Sequence, residues 1–188
     1  MSSIKSIGFL GPWGSFSEEA ANEAVKVLEI VGLNRVSIPG GNFSVISALR
    51  DRIVDSIVMA VENSITGIMT DNLRQLNDIG AKSLHAYINI PVIFCLMGLY
   101  QKFDPTIQTS VLGHEQAQKQ CSKWLKDNPT VSFVICDSNS QAAQKAKLDV
   151  SASCLAPELC AEIYGLHIYQ KGVQDTADNV TTFGIFIL

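Results

Sequence analysis

The sequence has few charged residues and no excess of basic ones. Charged residues make up 17% of the chain, and the formal net charge is −4 at pH 7. Proteins that bind nucleic acid need a basic face to neutralise phosphates, so this composition argues against a nucleic-acid partner. An anionic metabolite can still be bound, but only by donors that are placed locally.

The sequence also lacks a long hydrophobic run. No stretch reaches the roughly 18 uninterrupted apolar residues that a membrane-spanning helix needs. The longest candidate covers residues 88–100 and is interrupted by Asn89 and Pro91. The first residues do not follow the pattern of a signal peptide. We therefore expect no membrane association and a cytoplasmic location.

Metal and cofactor signatures are absent from the sequence as well. The five cysteines include no CxxC pair, and no His, Cys and carboxylate residues have the spacing of metal ligands. We expect buried, reduced thiols, as is usual in a cytoplasmic protein. The glycine spacing matches neither a dinucleotide-binding fingerprint nor a P-loop. The sequence therefore predicts neither a metal nor a cofactor.

What the sequence does contain is a regular alternation of short apolar runs and helical periodicity. Its 188 residues suit one domain or two small lobes. The predicted strands cover residues 7–10, 35–38, 56–61, 92–99, 109–112, 131–136, 150–155 and 183–188. The predicted helices cover residues 18–30, 44–52, 70–79, 115–126, 138–147 and 157–164.

This alternation predicts two small α/β lobes with mainly parallel sheets. The first lobe is expected to contain residues 1–80 plus 174–188, and the second lobe residues 81–173. The hinge between them is expected near residues 80–91.

The first of four polar segments that can carry chemistry reads GPWGSFSE and covers residues 11–18. It follows a predicted strand and opens a helix. Ser15 and Glu18 have capping-box spacing, and free amides at a helix start favour an anion. A well-capped helix without a ligand explains the same pattern.

The other three segments also lie beside predicted strands. Residues 62–67 follow the third strand, where polar residues of an α/β sheet commonly line a ligand crevice, although a loop is polar for structural reasons too. His114 precedes a helix and is either an acid, a base or a donor to a ligand, or simply solvated. Residues 178–183 lead into the last strand and by themselves favour a structural interpretation.

Together, these segments resemble the catalytic domain of the prephenate dehydratase family. That family has a GPxGTFSE-like start, a PxENSxxG loop, an SHPQALxQC segment, an STAxAA segment, an LYGL helix end and a closing IQDxxxNxTRF. The matching stretches here read GPWGSFSE, AVENSITG, GHEQAQKQC, SNSQAA, IYGL and VQDTADNVTTF. They occur in the same order, and the match runs from about residue 7 to residue 188.

The resemblance implies a fold like that of the type II periplasmic binding proteins, with a cleft between the lobes and both chain ends in the first lobe. It implies a homo-oligomer, most simply a dimer. We expect the family's regulatory ACT domain to be absent, and therefore no direct feedback by phenylalanine through such a domain. The implied activity is that of a lyase without a cofactor, in which prephenate loses water and carbon dioxide together and becomes phenylpyruvate.

The resemblance also assigns residues to a site for an anionic substrate, prephenate or a related molecule. Thr181 matches the threonine whose hydroxyl acts as the acid or donor, and Thr182 takes the place of an arginine that supports carboxylate binding. The other matched substrate-binding positions are Ser15, Glu62, Asn63, Ser64, His114, Gln116, Ser138, Asn139, Asn179 and Phe183.

Departures from the family pattern lie at positions that face the cleft in the family. They are Trp13, Ala60, Gly113, Glu115, Asn139, Ser140 and Thr182. Threonine cannot make the two charge-assisted hydrogen bonds that arginine makes to a carboxylate. The loss costs on the order of 2–5 kcal/mol of binding unless Lys102, Arg74 or Lys119 supplies another cation.

Three functions stay open at this point. The chain is a prephenate dehydratase with a modified cleft, an enzyme of the same family with an altered reaction or substrate, or a non-catalytic ligand-binding protein with the same fold. An aromatic product distinguishes the first, a product that retains the ring hydroxyl the second, and tight binding without turnover the third.

Overall fold

A computed structural model describes residues 4–188, apart from the side chains of His85 and Ala86. Its strands are β1 (Ser6–Leu10), β2 (Asn34–Ile38), β3 (Ser56–Asn63), β4 (Gly67–Ile68), β5 (Lys82–Pro91), β6 (Cys95–Gly98), β7 (Ser110–Gly113), β8 (Ser132–Ile135), β9 (Ala152–Ala156), β10 (His167–Lys171) and β11 (Val180–Ile187). Its helices are α1 (Phe16–Leu28), α2 (Asn42–Arg50), α3 (Thr70–Asp78), α4 (Glu115–Gln120), α5 (Ser122–Asp127), α6 (Asn139–Ala146) and α7 (Leu159–Tyr164). None of these helices is long and apolar enough to cross a membrane.

The chain divides into two compact units. The first contains the chain through Pro12, Phe16–Pro91 and Asn179–Leu188, and the second contains Trp13–Ser15 and Val92–Asp178. These units differ from the predicted lobes in three segments. Residues 81–91 group with the first unit, and residues 13–15 and 174–178 group with the second.

The first unit is built on a mixed six-stranded sheet with the order β2-β1-β3-β11-β5, to which β4 adds beside β3. The predicted parallel pairing holds for β1 with β2 and with β3. Strand β11 then runs antiparallel between β3 and β5. The strands nearest the two ends of the described chain, β1 and β11, thus lie in the same sheet, as expected.

Both faces of this sheet are covered by apolar side chains. Helix α1 packs its alanines, among them Ala20 and Ala24, against a cluster that includes Phe9 and Ile185. The apolar positions of α2 and α3 pack into a second cluster with Phe186 and Met59. Strand β3 is apolar on successive residues because its two faces contribute to different clusters.

The second unit has a mixed five-stranded sheet with the order β10-β6-β9-β7-β8. Strand β7 pairs in parallel with β8 and β9, whereas β6 is antiparallel to both β9 and β10. Its core combines alanines of α6 with four of the cysteines, Cys95, Cys136, Cys154 and Cys160. All five cysteines are free and buried, and burial raises the pKa of the Cys154 thiol well above its usual range.

Strand β5 occupies the segment predicted to be a hinge. Along this strand, Tyr87 and Asn89 are exposed whereas Ile88 and Ile90 are buried. This two-residue alternation is typical of a strand with one buried face.

The single helix predicted for residues 115–126 is two helices, α4 and α5. The carboxylate of Asp175 accepts hydrogen bonds from the backbone N–H of Ser122 at 3.1 Å, from the Ser122 hydroxyl at 2.7 Å and from the backbone N–H of Lys123 at 2.9 Å. It therefore satisfies donors that a continuous helix would have bonded internally, and a second helix begins.

Strand β10 was not predicted at all.

The side chain of Asp55, directly before β3, is bonded to the start of β1. These bonds lead to a prediction about stability at acid pH. The Asp55 carboxylate accepts from the backbone N–H groups of Lys5 and Ser6 and from the Ser6 hydroxyl, at 2.9, 3.0 and 3.0 Å. These bonds, led by the one from Lys5, hold the pKa of Asp55 below its usual range. The contribution to stability is therefore present above the unfolded-state pKa and is lost as pH falls through the folded-state pKa.

Replacing Asp55 by alanine is expected to lower the free energy of unfolding by about 1 kcal/mol at neutral pH, because the bonds are charge-assisted but solvent-exposed. The difference from the wild type should shrink as the carboxyl becomes protonated. Urea unfolding of both proteins across a series of acid pH values measures this, with Asp55→Asn as the uncharged control. A difference that stays constant with pH would contradict the assignment.

Candidate functional site

Asn63, the last residue of β3, turns the chain and organises one polar cluster of the first unit. Its Oδ1 accepts hydrogen bonds from the backbone N–H of Ile65 at 2.9 Å and of Thr66 at 3.1 Å. Gly67 then takes a φ of 82°, in the left-handed region that favours glycine. The chain returns as β4, which pairs with the end of β3.

The other side of the Asn63 amide faces the start of β11. Its Nδ2 donates to Asn179 Oδ1 at 2.8 Å, to Thr181 Oγ1 at 2.9 Å and to the Val180 carbonyl at 3.2 Å. Asn63, Asn179 and Thr181 are respectively 6%, 2% and 9% exposed. Three residues predicted from two separate motifs therefore form one buried network.

Ser64, directly after β3, bonds the backbone of Val180, the first residue of β11. Its backbone N–H donates to the Val180 carbonyl at 2.9 Å, and its hydroxyl accepts from the Val180 backbone N–H at 3.0 Å. Its position is fixed by the same strand contact that fixes Thr181. Ser64 thus bonds the backbone at the edge of the network.

The side chain of Thr182 lies on the opposite face of the sheet from that of Thr181. Thr182 is in register with Glu62 on β3 and Asn89 on β5, and its hydroxyl donates to Asn89 Oδ1 at 2.9 Å. Successive strand residues point to opposite faces of a sheet, so Thr181 and Thr182 do not present their side chains to the same side. Glu62 is exposed, and no salt bridge joins it to another described residue.

Phe183 is a core residue. It is 3% exposed and packs in the cluster that contains Ile88 and Ile185. The register shift between Thr182 and Phe183 places it opposite Ala60. This burial favours a packing role for the ring, and the substrate contact expected of Phe183 stays a prediction.

In the second unit, His114 and Asn139 join two helix starts. His114 is the N-cap of α4, and its Nδ1 accepts from the backbone N–H of Gln116 at 3.2 Å. The backbone N–H of His114 donates to Asn139 Oδ1 at 2.8 Å, across 25 positions of sequence. Because Nδ1 is used as an acceptor, the neutral imidazole carries its proton on Nε2.

Ser138 and Gln116 have contrasting surroundings. Ser138 caps α6, since its hydroxyl accepts from the backbone N–H of Gln141 at 3.0 Å. Gln141 returns its side chain to Asp137, whose backbone N–H donates to it at 3.1 Å. The side chain of Gln116 is exposed.

The loop of Trp13, Gly14 and Ser15 groups with the second unit. The Gly14 carbonyl accepts from the Cys160 thiol at 3.1 Å, and the Trp13 carbonyl accepts from the Tyr164 hydroxyl at 2.9 Å. A Cβ at Gly14 would lie 2.7 Å from Cys160 Sγ, so only glycine fits. Two residues of α7 therefore set the position of the segment that leads to Ser15.

Comparison with known proteins identifies the family. The family model described as prephenate dehydratase matches residues 7–187. The chain belongs to the prephenate dehydratase family. Arogenate dehydratase/prephenate dehydratase 1, chloroplastic, from Arabidopsis thaliana is 32% identical over 183 residues, which cover 94% of this chain and 43% of that protein. The chain spans less than half the length of the first curated relatives that it matches.

Two solved structures share the fold. The prephenate dehydratase from Staphylococcus aureus subsp. aureus Mu50 superposes with a TM-score of 0.77 at 24% identity, over 97% of this chain and 66% of that chain. GqqA, described as a novel type of quorum quenching acylases, gives a TM-score of 0.79 at 24% identity, over 97% of this chain and 63% of that chain. The predicted fold class, that of the type II periplasmic binding proteins, is confirmed, with each sheet mixed.

Two departures from the prephenate dehydratase pattern have local structural causes. A Cβ at Gly113, where the family has serine, would lie 2.9 Å from the ring of Phe133. Glu115, where the family has proline, pairs with Lys119 at 2.6 Å. Lys119 therefore already has an acidic partner on its own helix.

The three cations named as replacements for the family arginine are not equivalent. Lys119 pairs with Glu115, and Arg74 pairs with Asp71 at 3.3 Å. No salt bridge joins Lys102 to any described residue. Within residues 4–188, no group of three or more His, Cys, Asp and Glu side chains is arranged to hold a metal ion.

Sequence reasoning missed Asn89, Cys160 and Tyr164. Asn89 was treated as an interruption of an apolar run, although its exposed position in an alternating strand was a usable signal. Cys160 and Tyr164 bond backbone carbonyls more than 140 positions away, at sequence separations of 146 and 151. No local pattern predicts such contacts.

The His114 geometry predicts a tautomer that NMR can observe. We expect the neutral ring of His114 to be protonated on Nε2, because the Gln116 backbone N–H occupies Nδ1. Long-range ¹H–¹⁵N correlation spectra report this directly, and a His114→Gln variant assigns the signal among the three histidines. A dominant Nδ1–H form would contradict the cap.

Proposed function

We propose that the chain catalyses the prephenate dehydratase reaction, the conversion of prephenate to phenylpyruvate, water and carbon dioxide. The observation that carries the proposal is the Thr181 hydroxyl, which lies at the family's donor position and is held 2.9 Å from Asn63 Nδ2. Family membership over residues 7–187 supports the reaction class, that of a lyase.

The chemistry asks little of the protein beyond positioning and one hydrogen-bond donor. The bond from the ring to the hydroxyl breaks, and so does the bond from the ring to its carboxylate. The electron pair released with carbon dioxide enters the ring and makes it aromatic. The departing hydroxyl takes up a proton and leaves as water. In this proposal Thr181 donates to that hydroxyl, and no cofactor takes part.

The remaining substrate contacts are part of the same proposal. In the first unit they are Glu62, Ser64, Asn179 and Thr182; in the second they are Ser15, His114, Gln116, Ser138 and Asn139. A dianionic substrate needs donors, and the second unit offers the Nε2–H of a neutral His114. The homodimer and the cytoplasmic location also stay proposals. Light scattering of the purified chain and localisation of a tagged chain test them.

Replacing Thr181 by valine is expected to lower kcat for phenylpyruvate formation by at least about 100-fold, because the isosteric side chain keeps its shape but has no hydroxyl to donate to the departing group. Thr181→Ser, which retains the hydroxyl, is the matched control and should keep most of the activity. Absorbance of phenylpyruvate at high pH measures the product. A wild-type protein that forms none, or an active valine variant, would contradict the proposal.

A second candidate function is an altered reaction within the family. It is favoured by Thr182 and its two partners in register, Glu62 and Asn89. These side chains include a carboxylate but lack the family's guanidinium. A substrate with one carboxylate fewer suits this group of side chains better than a dianion does. A decarboxylation of prephenate that leaves the ring hydroxyl in place is the other form of this candidate. NMR of the product made from prephenate decides: aromatic ring signals exclude this candidate, and olefinic ring signals exclude the first. A non-catalytic ligand-binding role predicts tight binding without either product.

Restoring the arginine at Thr182 tests the importance of the lost cation. We expect Thr182→Arg to raise kcat/KM for prephenate by about tenfold, the low end of a bidentate contact, because Glu62 competes for the guanidinium. Steady-state kinetics measure it, with Thr182→Gln as the uncharged control of similar length. An equal effect of both changes would show that charge is not the cause.

A further inference from the structure

The amide of Asn63 has only one possible orientation. Backbone N–H groups can only donate, so the atom that receives those of Ile65 and Thr66, at 2.9 and 3.1 Å, must be the carbonyl oxygen. The NH₂ group therefore points to β11. This assignment needs no assumption about hydrogen positions, because the turn that follows β3 imposes it.

The orientation of Asn63 sets the polarity of its bond to Thr181. An NH₂ group cannot accept, so in the 2.9 Å contact the Thr181 hydroxyl must be the acceptor. The hydroxyl hydrogen is then left for another partner. Among the residues that the structure describes, the Thr181 hydroxyl donates no hydrogen bond.

Asn63 has no capacity left for a substrate. Its Oδ1 accepts two backbone bonds, and its two amide hydrogens are shared among Asn179 Oδ1, Thr181 Oγ1 and the Val180 carbonyl. It is also buried. This differs from its predicted role as a direct substrate contact.

We infer that Asn63 is a positioning residue that keeps the Thr181 hydroxyl as a hydrogen-bond donor towards the substrate. The inference rests on the proposed function of Thr181. The turn after β3 orients the Asn63 amide, the amide holds Thr181 Oγ1 by donating to it, and the hydroxyl hydrogen remains for the departing group. Asn179, which accepts from the same NH₂ group at 2.8 Å, holds that group in place.

Asn63→Asp reverses the bond polarity with almost no change of shape. One carboxylate oxygen still accepts from the backbone of Ile65 and Thr66, but the other now accepts from the Thr181 hydroxyl. The proton of that hydroxyl then points to the carboxylate and not to the substrate. We expect kcat to fall by about 100-fold or more while KM changes by less than about threefold. A buried carboxyl without a cation has a raised pKa, and once protonated it can donate again. The kcat of this variant relative to the wild type should therefore rise as pH falls.

Asn63→Ser gives a second, uncharged variant. A serine hydroxyl can still accept from the backbone of the turn, but it is too short to reach Thr181. It should show the same loss of kcat without recovery at low pH. It also keeps the inference testable if the buried carboxylate prevents folding, which circular dichroism and thermal unfolding report.

Asn72→Asp is the matched control for a merely structural effect. Asn72 is a buried asparagine whose Nδ2 donates to the Ala60 carbonyl of β3 at 2.9 Å and to Met69 Sδ at 3.6 Å, and not to Thr181. We expect it to lower stability while leaving kcat within about twofold of the wild type.

Equal kcat losses in the Asn63 and Asn72 variants, or a loss at Asn63 confined to KM, would overturn the inference. Wild-type protein that makes no phenylpyruvate contradicts the proposed function itself, whereas active wild type with an unaffected Asn63→Asp variant contradicts this inference alone.

Discussion

The two hydrogen bonds that the backbone of Ile65 and Thr66 donates to the Asn63 carbonyl oxygen are the constraint on which the first unit's polar cluster depends. They form the turn that returns the chain as β4 and expose the opposite side of the amide to β11. Everything that this side touches, including Thr181, is then held by a group that can only donate. A local turn therefore determines a long-range arrangement, because one side chain takes part in both.

The second unit uses a different principle, the termination of helices by side chains. Ser138 caps α6, His114 caps α4, and Asp175 ends one helix and begins the next. Asn139 then joins two of these starts through the His114 backbone. Beneath them the core is made of small residues, alanines and cysteines, which allow α6 to lie close to the sheet. The result is a set of helix starts whose relative positions are fixed by direct bonds within one unit.

Sequence patterns predicted the elements whose signals are local and missed those that depend on distant partners. Strand β3 and the C-terminal stop of α7 at Gly165, with a φ of 68°, follow from an apolar run and from glycine's conformational freedom. The break between α4 and α5 depends on Asp175, 53 positions from Ser122, so helical periodicity continued through it.

For the candidate site, motif order identified Asn63, Asn179 and Thr181 as members, but spacing does not say which atoms meet. The structure adds that Asn63 donates to both Asn179 and Thr181, and that the side chain of Thr182 lies on the opposite face of the sheet from that of Thr181. Phe183 matched the family motif and yet is part of the core, because a residue within a motif can serve packing as well as chemistry.

The position of β11 between β3 and β5 has a consequence for how the protein is made. Asn63 and Thr181 are separated by 118 positions, so the first sheet and its polar cluster cannot be completed before β11 has left the ribosome. Until then, β3 and β5 each present an unpaired edge, the kind of surface that associates with other extended chains. A chain that ends before β11 would keep these edges exposed and would therefore tend to aggregate.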